Sequence, residues 1–262
     1  MRADPLVQSL ADALALPVDS PDRSRPFVEG VSSDVLLDAY PRVLRTLIRA
    51  HRPARVCDIG AGRNPQLSPT EVEELGVDCT LLDISAEELA QAPPGFDRVV
   101  GDIGAPDLRI DEPFDLVFSS MLAEHVADGA QLYRNTRAAL RPGGIGFHFF
   151  PTLYSLPFVV NRLLPDAVTE PVLRRLKPKR KHKFPAYYSW TRGPTGAQLG
   201  RLRRVDLEVV AYVGGFGHRY YRKLPPVERC ARPLWRFAQA RELFGLTSYA
   251  YVVVRRPLEP PS

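Results

Sequence analysis

Apolar residues come in short, unbroken runs along most of this chain, and polar stretches with helical spacing separate them. "RVCDI" (55–59) is followed by a helical pattern in "SPTEVEELG", then "CTLLDI" by "SAEELAQA", then "RVVGD", and "FDLVFSS" by "DGAQLYRNTRAAL", the turn "RPGG" and "IGFHFF". Runs that are apolar throughout, instead of alternating, predict strands buried on both faces of a mostly parallel sheet. Helices between them predict a doubly wound α/β domain. Upstream, "SDVLLDAYPRVLRTLIRAH" predicts a helix with Ser33 or Asp34 as its N-cap and Val35, Leu36, Val43, Leu44, Leu47 and Ile48 on its apolar face; Pro41 is expected to kink or split it. Residues 1–33, rich in Pro, Asp and Ser, predict a loose lead-in with one short helix, so the main domain is expected over 34–262.

The rhythm stops after Pro151 for about fifty residues. That is long for a connection and predicts an inserted lid over 151–205, on the acceptor side of a site. Beyond it, "VDLEVVAYVGG" and "SYAYVVVRR" predict two more strands around the helical "PPVERCARPLWRFAQAREL".

Composition changes this picture little. The chain is 45% hydrophobic and 25% charged, an ordinary globular balance. The first twenty residues carry acids and no basic-then-apolar signal pattern, which predicts a cytoplasmic setting. Cys57, Cys79 and Cys230 are too scattered for a disulfide framework or for zinc-ligand spacing, so free thiols and no metal are expected, with Cys57 as core filling.

Charge changes it more. Residues 171–205 hold eleven Lys and Arg and no acid, leaving 24 basic against 30 acidic residues elsewhere. The centre of that segment is "KPKRKHK" (177–183), where Lys181 and Lys183 adjoin Tyr187, Tyr188 and Trp190. Two readings stand side by side: a solvated loop over a small aromatic core, or a lid with an aromatic underside and a cationic rim that selects an anionic acceptor. The apolar stretch before it, 154–176, could also sit on a lipid surface.

The chemistry concentrates where the predicted strands end. "VCDIGAGRNP" stops its apolar run at Asp58 and continues with Gly60 and Gly62, which let a backbone turn sharply beside a ligand. The next strand ends at Asp83, with Ile84 after it, a carboxylate suited to both hydroxyls of a ribose. The third ends in "GDIG", where Asp102 could receive an adenine amino group and Ile103 could pack on the ring. A dinucleotide is disfavoured, because Pro65 follows where a third glycine should close the turn and Asp58 offers a pyrophosphate nothing. An acid before the loop suits a ligand with a cationic amino-acid end.

These segments together resemble a class I S-adenosylmethionine-dependent methyltransferase. "VCDIGAGRNP" is similar to that family's first motif with Asn64 in place of the third glycine, "LLDIS" to its ribose-binding acid, "GDIG" to its adenine-edge motif, "FDLVFSSMLAEHV" to its fourth motif and "LRPGG" to the turn before its fifth strand. The likeness covers roughly 34–150 and implies a Rossmann-like, seven-stranded, mostly parallel sheet with helices on both faces. It implies S-adenosylmethionine as cofactor, with Asp58, Gly60, Gly62, Asp83, Ile84, Asp102, Ile103 and Ser119 around it. Asn64 is acceptable on this reading because Asn tolerates left-handed backbone. His125 and His148 are the candidate general bases. The expected acceptor is a small molecule methylated at oxygen or nitrogen. "FSSM" lacks the Pro-Pro aromatic and Pro-Cys signatures of base methyltransferases, which argues against nucleic acid. A fold that keeps the cofactor without methylating, as a cyclase or binding partner, is the remaining alternative.

Overall fold

The computed structural model describes residues 4–18, 25–153, 185–219 and 225–258. Lys181, Lys183 and the rest of 154–184 lie outside the described residues, so the expectations placed there concern the sequence alone.

Among the described residues the strands are β1 (Phe27–Ser32), β2 (Arg55–Ile59), β3 (Asp78–Asp83), β4 (Asp97–Val100), β5 (Phe114–Ser120), β6 (Leu140–Pro151), β7 (Glu208–Phe216) and β8 (Tyr249–Arg255). They form one sheet in the order β1-β7-β8-β6-β5-β2-β3-β4. Every pairing is parallel except those of β8, which runs antiparallel to both β6 and β7. From β2 the chain winds outward through β3 and β4, then returns to place β5 on the other side of β2. The crevice between β2 and β5 is therefore the topological switch point, where such sheets bind ligands at their carboxyl edge.

The helices among the described residues are α1 (Pro5–Leu14), α2 (Ser33–His51), α3 (Pro69–Leu75), α4 (Ala86–Ala90), α5 (Gly129–Ala139), α6 (Gly196–Arg203) and α7 (Pro225–Ala240). Local chemistry starts and stops them. Ser68 and Glu71 form a reciprocal capping box at α3, Pro69 fills its first position, and Gly76 ends it in left-handed backbone. Asp128 caps α5 by accepting from the N–H groups of Ala130 and Gln131. On one face of the sheet, Leu10 of α1 and Leu36, Leu44 and Leu47 of α2 join Phe118 and Phe147 in a core. On the other, Leu132 and Tyr133 of α5 pack with Val117, Tyr212 and Val252.

Two differences from the sequence reading concern the first fifty residues, β1 and the course of α2. The lead-in contains the one short helix expected of it, α1, capped by Asp4 and buried through Leu6, Val7, Leu10 and Leu14. It also contains β1, an eighth strand beyond the seven expected, paired in parallel with β7 from Phe27↔Ala211 to Ser32↔Phe216. Finally, α2 runs unbroken through Pro41 and takes Ser32 as its cap, held to the sheet by Tyr40, Val43 and Leu44 on either side of the proline. Packing against a sheet outweighs the hydrogen bond that proline removes.

Candidate functional site

The turn after β2 is fixed by its backbone. The Gly60 N–H donates to the Leu82 carbonyl at 2.7 Å, which keeps the turn in register with β3. Gly60 and Gly62 have φ of +74° and +51°, where a side chain is strained. At Gly60 a Cβ would also lie 2.8 Å from Leu122 Cδ1. Asn64, in the place of the motif's third glycine, is not among the residues with left-handed backbone. It is accommodated because the turn makes no such demand at that position.

Asp58 is 1% exposed, and its Oδ2 accepts the Gln66 N–H at 2.7 Å, so it organises the loop that its strand leads into. Burial raises its carboxyl to about 7; the Gln66 N–H pulls the other way and the charge of Asp83 adds to the rise. The sequence reading missed Tyr40. This α2 side chain stacks on Phe147 and Phe149, and its buried hydroxyl has no hydrogen-bond partner among the described residues. Burial, followed by the charge of Asp58, pushes that hydroxyl's pKa well above the usual tyrosine value. A polar residue on the helix before a glycine-turn strand was the available signal.

Asp83 closes the turn from the neighbouring strand. Its Oδ2 accepts the Gly62 N–H and its Oδ1 the Ser85 N–H, both at 2.9 Å. Each carboxylate oxygen has two acceptor sites, so both retain capacity for a ligand hydroxyl. Ile84 follows with 69% of its surface exposed. Arg63 of the turn pairs with Glu88 of α4, Nε to Oε2 at 2.6 Å, a link across 25 residues that no short motif announces. These features fit a nucleoside end: open carboxylate acceptors beside a side-chain-free turn, with an uncovered aliphatic group next to them.

Asp102 keeps its place in the candidate site, while three other expected site residues are placed differently. Asp102 is exposed and accepts the Gly104 N–H on Oδ1 at 2.7 Å. Ile103 is 4% exposed and packs in the core under α5, so it offers no open face to a ring. Ser119 and His148 are 0% exposed and hydrogen-bonded to each other, Oγ to Nδ1 at 2.8 Å, with Thr136 Oγ1 at 3.5 Å from His148 Nε2. They are cross-strand partners on β5 and β6, turned by strand alternation toward α5. Burial lowers the imidazole to about 4. Neutral and enclosed, His148 is corrected from candidate base to core group, and Ser119 is its partner instead of a cofactor contact.

His125 lies at the edge. It ends the 3-10 turn Ala123–His125 that follows β5, and its Nδ1 is 2.7 Å from the Pro185 carbonyl. A carbonyl only accepts, so Nδ1 carries the proton. The N–H groups of Tyr187 and Tyr188 donate to the Glu124 carbonyl at 2.8 and 3.2 Å, docking the end of the inserted segment on the same turn. Of the three aromatics expected beneath a lid, Tyr187 is 49% exposed, Tyr188 is buried, and Trp190 packs toward Tyr133 with ring centroids 6.1 Å apart. Trp190 thus belongs to the core under α5. At the tip of β5, Met121 adopts φ of +56°, a strained conformation for this residue type.

Residues 57–147 match the family model of a methyltransferase domain. No curated protein matches the sequence. Among solved structures, the fold is similar to a candidate sarcosine dimethylglycine methyltransferase from Galdieria sulphuraria, with 14% identity over 85% of this chain and 86% of that one and a TM-score of 0.51. An S-adenosylmethionine-dependent methyltransferase from Mesorhizobium loti matches with 20% identity over 80% and 95% of the two chains and a TM-score of 0.46. With its first motif folded into a glycine turn under an acid, the matched segment 57–147 is similar to a methyltransferase domain, which supports a class I S-adenosylmethionine-dependent methyltransferase with S-adenosylmethionine as cofactor.

Proposed function

We propose that this protein transfers a methyl group to oxygen or nitrogen of a small-molecule acceptor that enters over the tips of β5 and β6, with residues 151–205 forming the acceptor side. The observation that carries the reading is Asp83, which holds the glycine turn through Gly62 while both its oxygens keep acceptor capacity beside exposed Ile84. Asp83 would hold the ribose hydroxyls and Ile84 would cover one face of the adenine. Asp58 and Tyr40 face the amino-acid end, where a cationic group offsets the cost of the buried carboxylate.

S-adenosylmethionine supplies a methyl carbon activated by positive sulfur. The chain's part is then chiefly alignment, because placing an acceptor atom in line with that carbon removes much of the entropic barrier. His125 is the proposed proton acceptor. Its Nδ1–H is given to the Pro185 carbonyl, and its Nε2 lies 3.6 Å from Glu124 Oε1, next to the docked segment and Tyr187. The charge of "KPKRKHK" supports an anionic acceptor.

Two measurements test this. Asp83→Ala should weaken binding of S-adenosylhomocysteine by roughly 1.5–3 kcal/mol, or about ten- to a hundredfold, in titration calorimetry. Unchanged affinity would remove Asp83 from the site. Mass spectrometry of acceptors incubated with enzyme and S-adenosylmethionine should show the gain of one methyl group; rearranged bonds at unchanged mass would favour a cyclase.

A further inference from the structure

The strand that the sequence reading missed builds a second cavity. At the carboxyl ends of β1 and β7 a space of about 360 Å³ opens between the start of α2 and one face of α7. Its volume suits a small molecule. Glycines at the end of β7 let its walls close in: a Cβ at Gly215 would lie 3.1 Å from Ser33 Cα, and one at Gly217 would lie 3.1 Å from the Trp235 ring. Ser33 Oγ donates to the Gly217 carbonyl at 2.5 Å, which ties the first turn of α2 to the strand end. His218, only 6% exposed, is held by a hydrogen bond between its Nε2 and the Tyr249 hydroxyl at 2.9 Å.

The charges lining this space are unequally committed. Asp34 accepts from Arg219 Nε at 2.8 Å, and Glu228 pairs with Arg232 at 2.9 Å. Arg236 has no ion pair or hydrogen bond among the described residues, although its guanidinium carries five donors. Both acids are thus satisfied and one cation is not. The positive end of the 19-residue α2 adds in the same direction. Phe216 and Trp235 supply aromatic wall beside this cation.

We infer that this cavity is a second ligand site, for a small aromatic molecule carrying a carboxylate or a phosphate, with Arg236 pairing the anion and Trp235 flanking the ring. It is separate from the cofactor crevice: three strands lie between β7 and β2, which at the usual strand spacing is roughly 19 Å. The position on the same edge of the sheet, beyond the β5 tip, makes it a place to hold a regulator or the far end of an extended acceptor.

The test is titration calorimetry of the full chain with benzoate and phenyl phosphate, and with benzamide and benzylamine as neutral and cationic counterparts, each with and without saturating S-adenosylhomocysteine. At least one anion should bind at millimolar or lower concentration, whether or not S-adenosylhomocysteine is present, and benzamide and benzylamine should not. Benzoate against phenyl phosphate decides between carboxylate and phosphate. Arg236→Gln, at an exposed helix position, should weaken the anion roughly ten- to a hundredfold and leave S-adenosylhomocysteine binding as it is. The inference is overturned if neither anion binds, if benzamide or benzylamine binds as well, if S-adenosylhomocysteine competes, or if Arg236→Gln changes nothing. A failure of S-adenosylhomocysteine to bind would count against the methyltransferase reading alone, since the anion titrations do not depend on it.

Discussion

Asp58 and His148 are both wholly buried ionisable groups near the carboxyl edge of one sheet, yet they lie on opposite faces and in different circumstances. Asp58, on β2, points to the α2 face, beside Tyr40 and at the root of the glycine turn. His148, on β6, points to the α5 face, bonded to Ser119 and close to Thr136 and Tyr133. Burial disfavours the charged form of each, so the acid is raised to about 7 and the imidazole lowered to about 4. The imidazole is content when neutral, because neutral hydroxyls satisfy it. On the proposed reading, the carboxylate meets the cationic end of the cofactor, which would restore its charge. A perturbed pKa therefore marks a functional group only where a ligand can reach it, and that distinction is geometric.

The largest expected effect comes from Asp58. Its folded pKa lies about three units above the usual aspartate value, so its stabilising contribution is full below about pH 4 and is lost as pH rises to about 7, a change of about 4 kcal/mol. In Asp58→Asn, whose amide oxygen can still accept the Gln66 N–H, that contribution should vanish and leave the opposing one of His148 uncompensated. Urea unfolding at a series of pH values from 4 to 7.5 measures it. The same group should release a proton when S-adenosylmethionine binds near pH 6, seen as a dependence of the binding enthalpy on the buffer's ionisation heat. Asp58→Asn should abolish that dependence. Persistence of both signals in the mutant would place the buried charge elsewhere.

His148 works in the opposite sense with a somewhat smaller magnitude. A histidine whose folded pKa is about 4 contributes stability that is present above about pH 6.5 and lost as pH falls toward 4, about 3 kcal/mol over the window. The two groups largely cancel in the native chain. His148→Gln should therefore leave a protein that grows more stable on acidification, while Asp58→Asn leaves one that grows less stable. Methyl transfer by His148→Gln should keep its pH profile, because the imidazole does not reach the acceptor. A profile that loses an ionisation near neutrality would return His148 to catalysis.

Much of the fold was legible because it is written in patterns a few residues long. The short, mainly apolar runs at 55–59, 79–83 and 114–118, bounded by turn residues, fit strands covered on both sides, and Ser68 with Glu71 announces a helix start. β1 was hidden because "FVEGVS" is an edge strand, half-buried and interrupted by Gly30, so its identity comes from pairing with β7 more than 180 residues away. The acids at three strand ends were legible as a set, but their separate uses were not. Gly62 N–H on Asp83, Gln66 N–H on Asp58 and Gly104 N–H on Asp102 are set by loop conformation. Tyr40 escaped notice for a similar reason, since nothing local shows that a helix residue will sit under a strand end. His148 was misplaced because alternation on β6 gives two faces and the sequence does not say which is closed.

The smallest effect isolates the two isoleucines that follow the strand-end acids, identical in type and opposite in surroundings. Ile84 is 69% exposed and Ile103 is 4% exposed within the core under α5. If the adenine covers Ile84, then Ile84→Ser should lower cofactor affinity by about 1 kcal/mol through lost apolar contact, with little change in the stability of the free protein, where the side chain is mostly in water. Ile103→Val should do the reverse: about 0.5–1.5 kcal/mol of stability from one deleted methyl, with cofactor affinity retained. Calorimetric titration and urea unfolding on both variants form the complete square. Equal losses of affinity in the two would mean that the loop after β4 rearranges on binding and brings Ile103 to the ring, restoring the role that the free structure denies it.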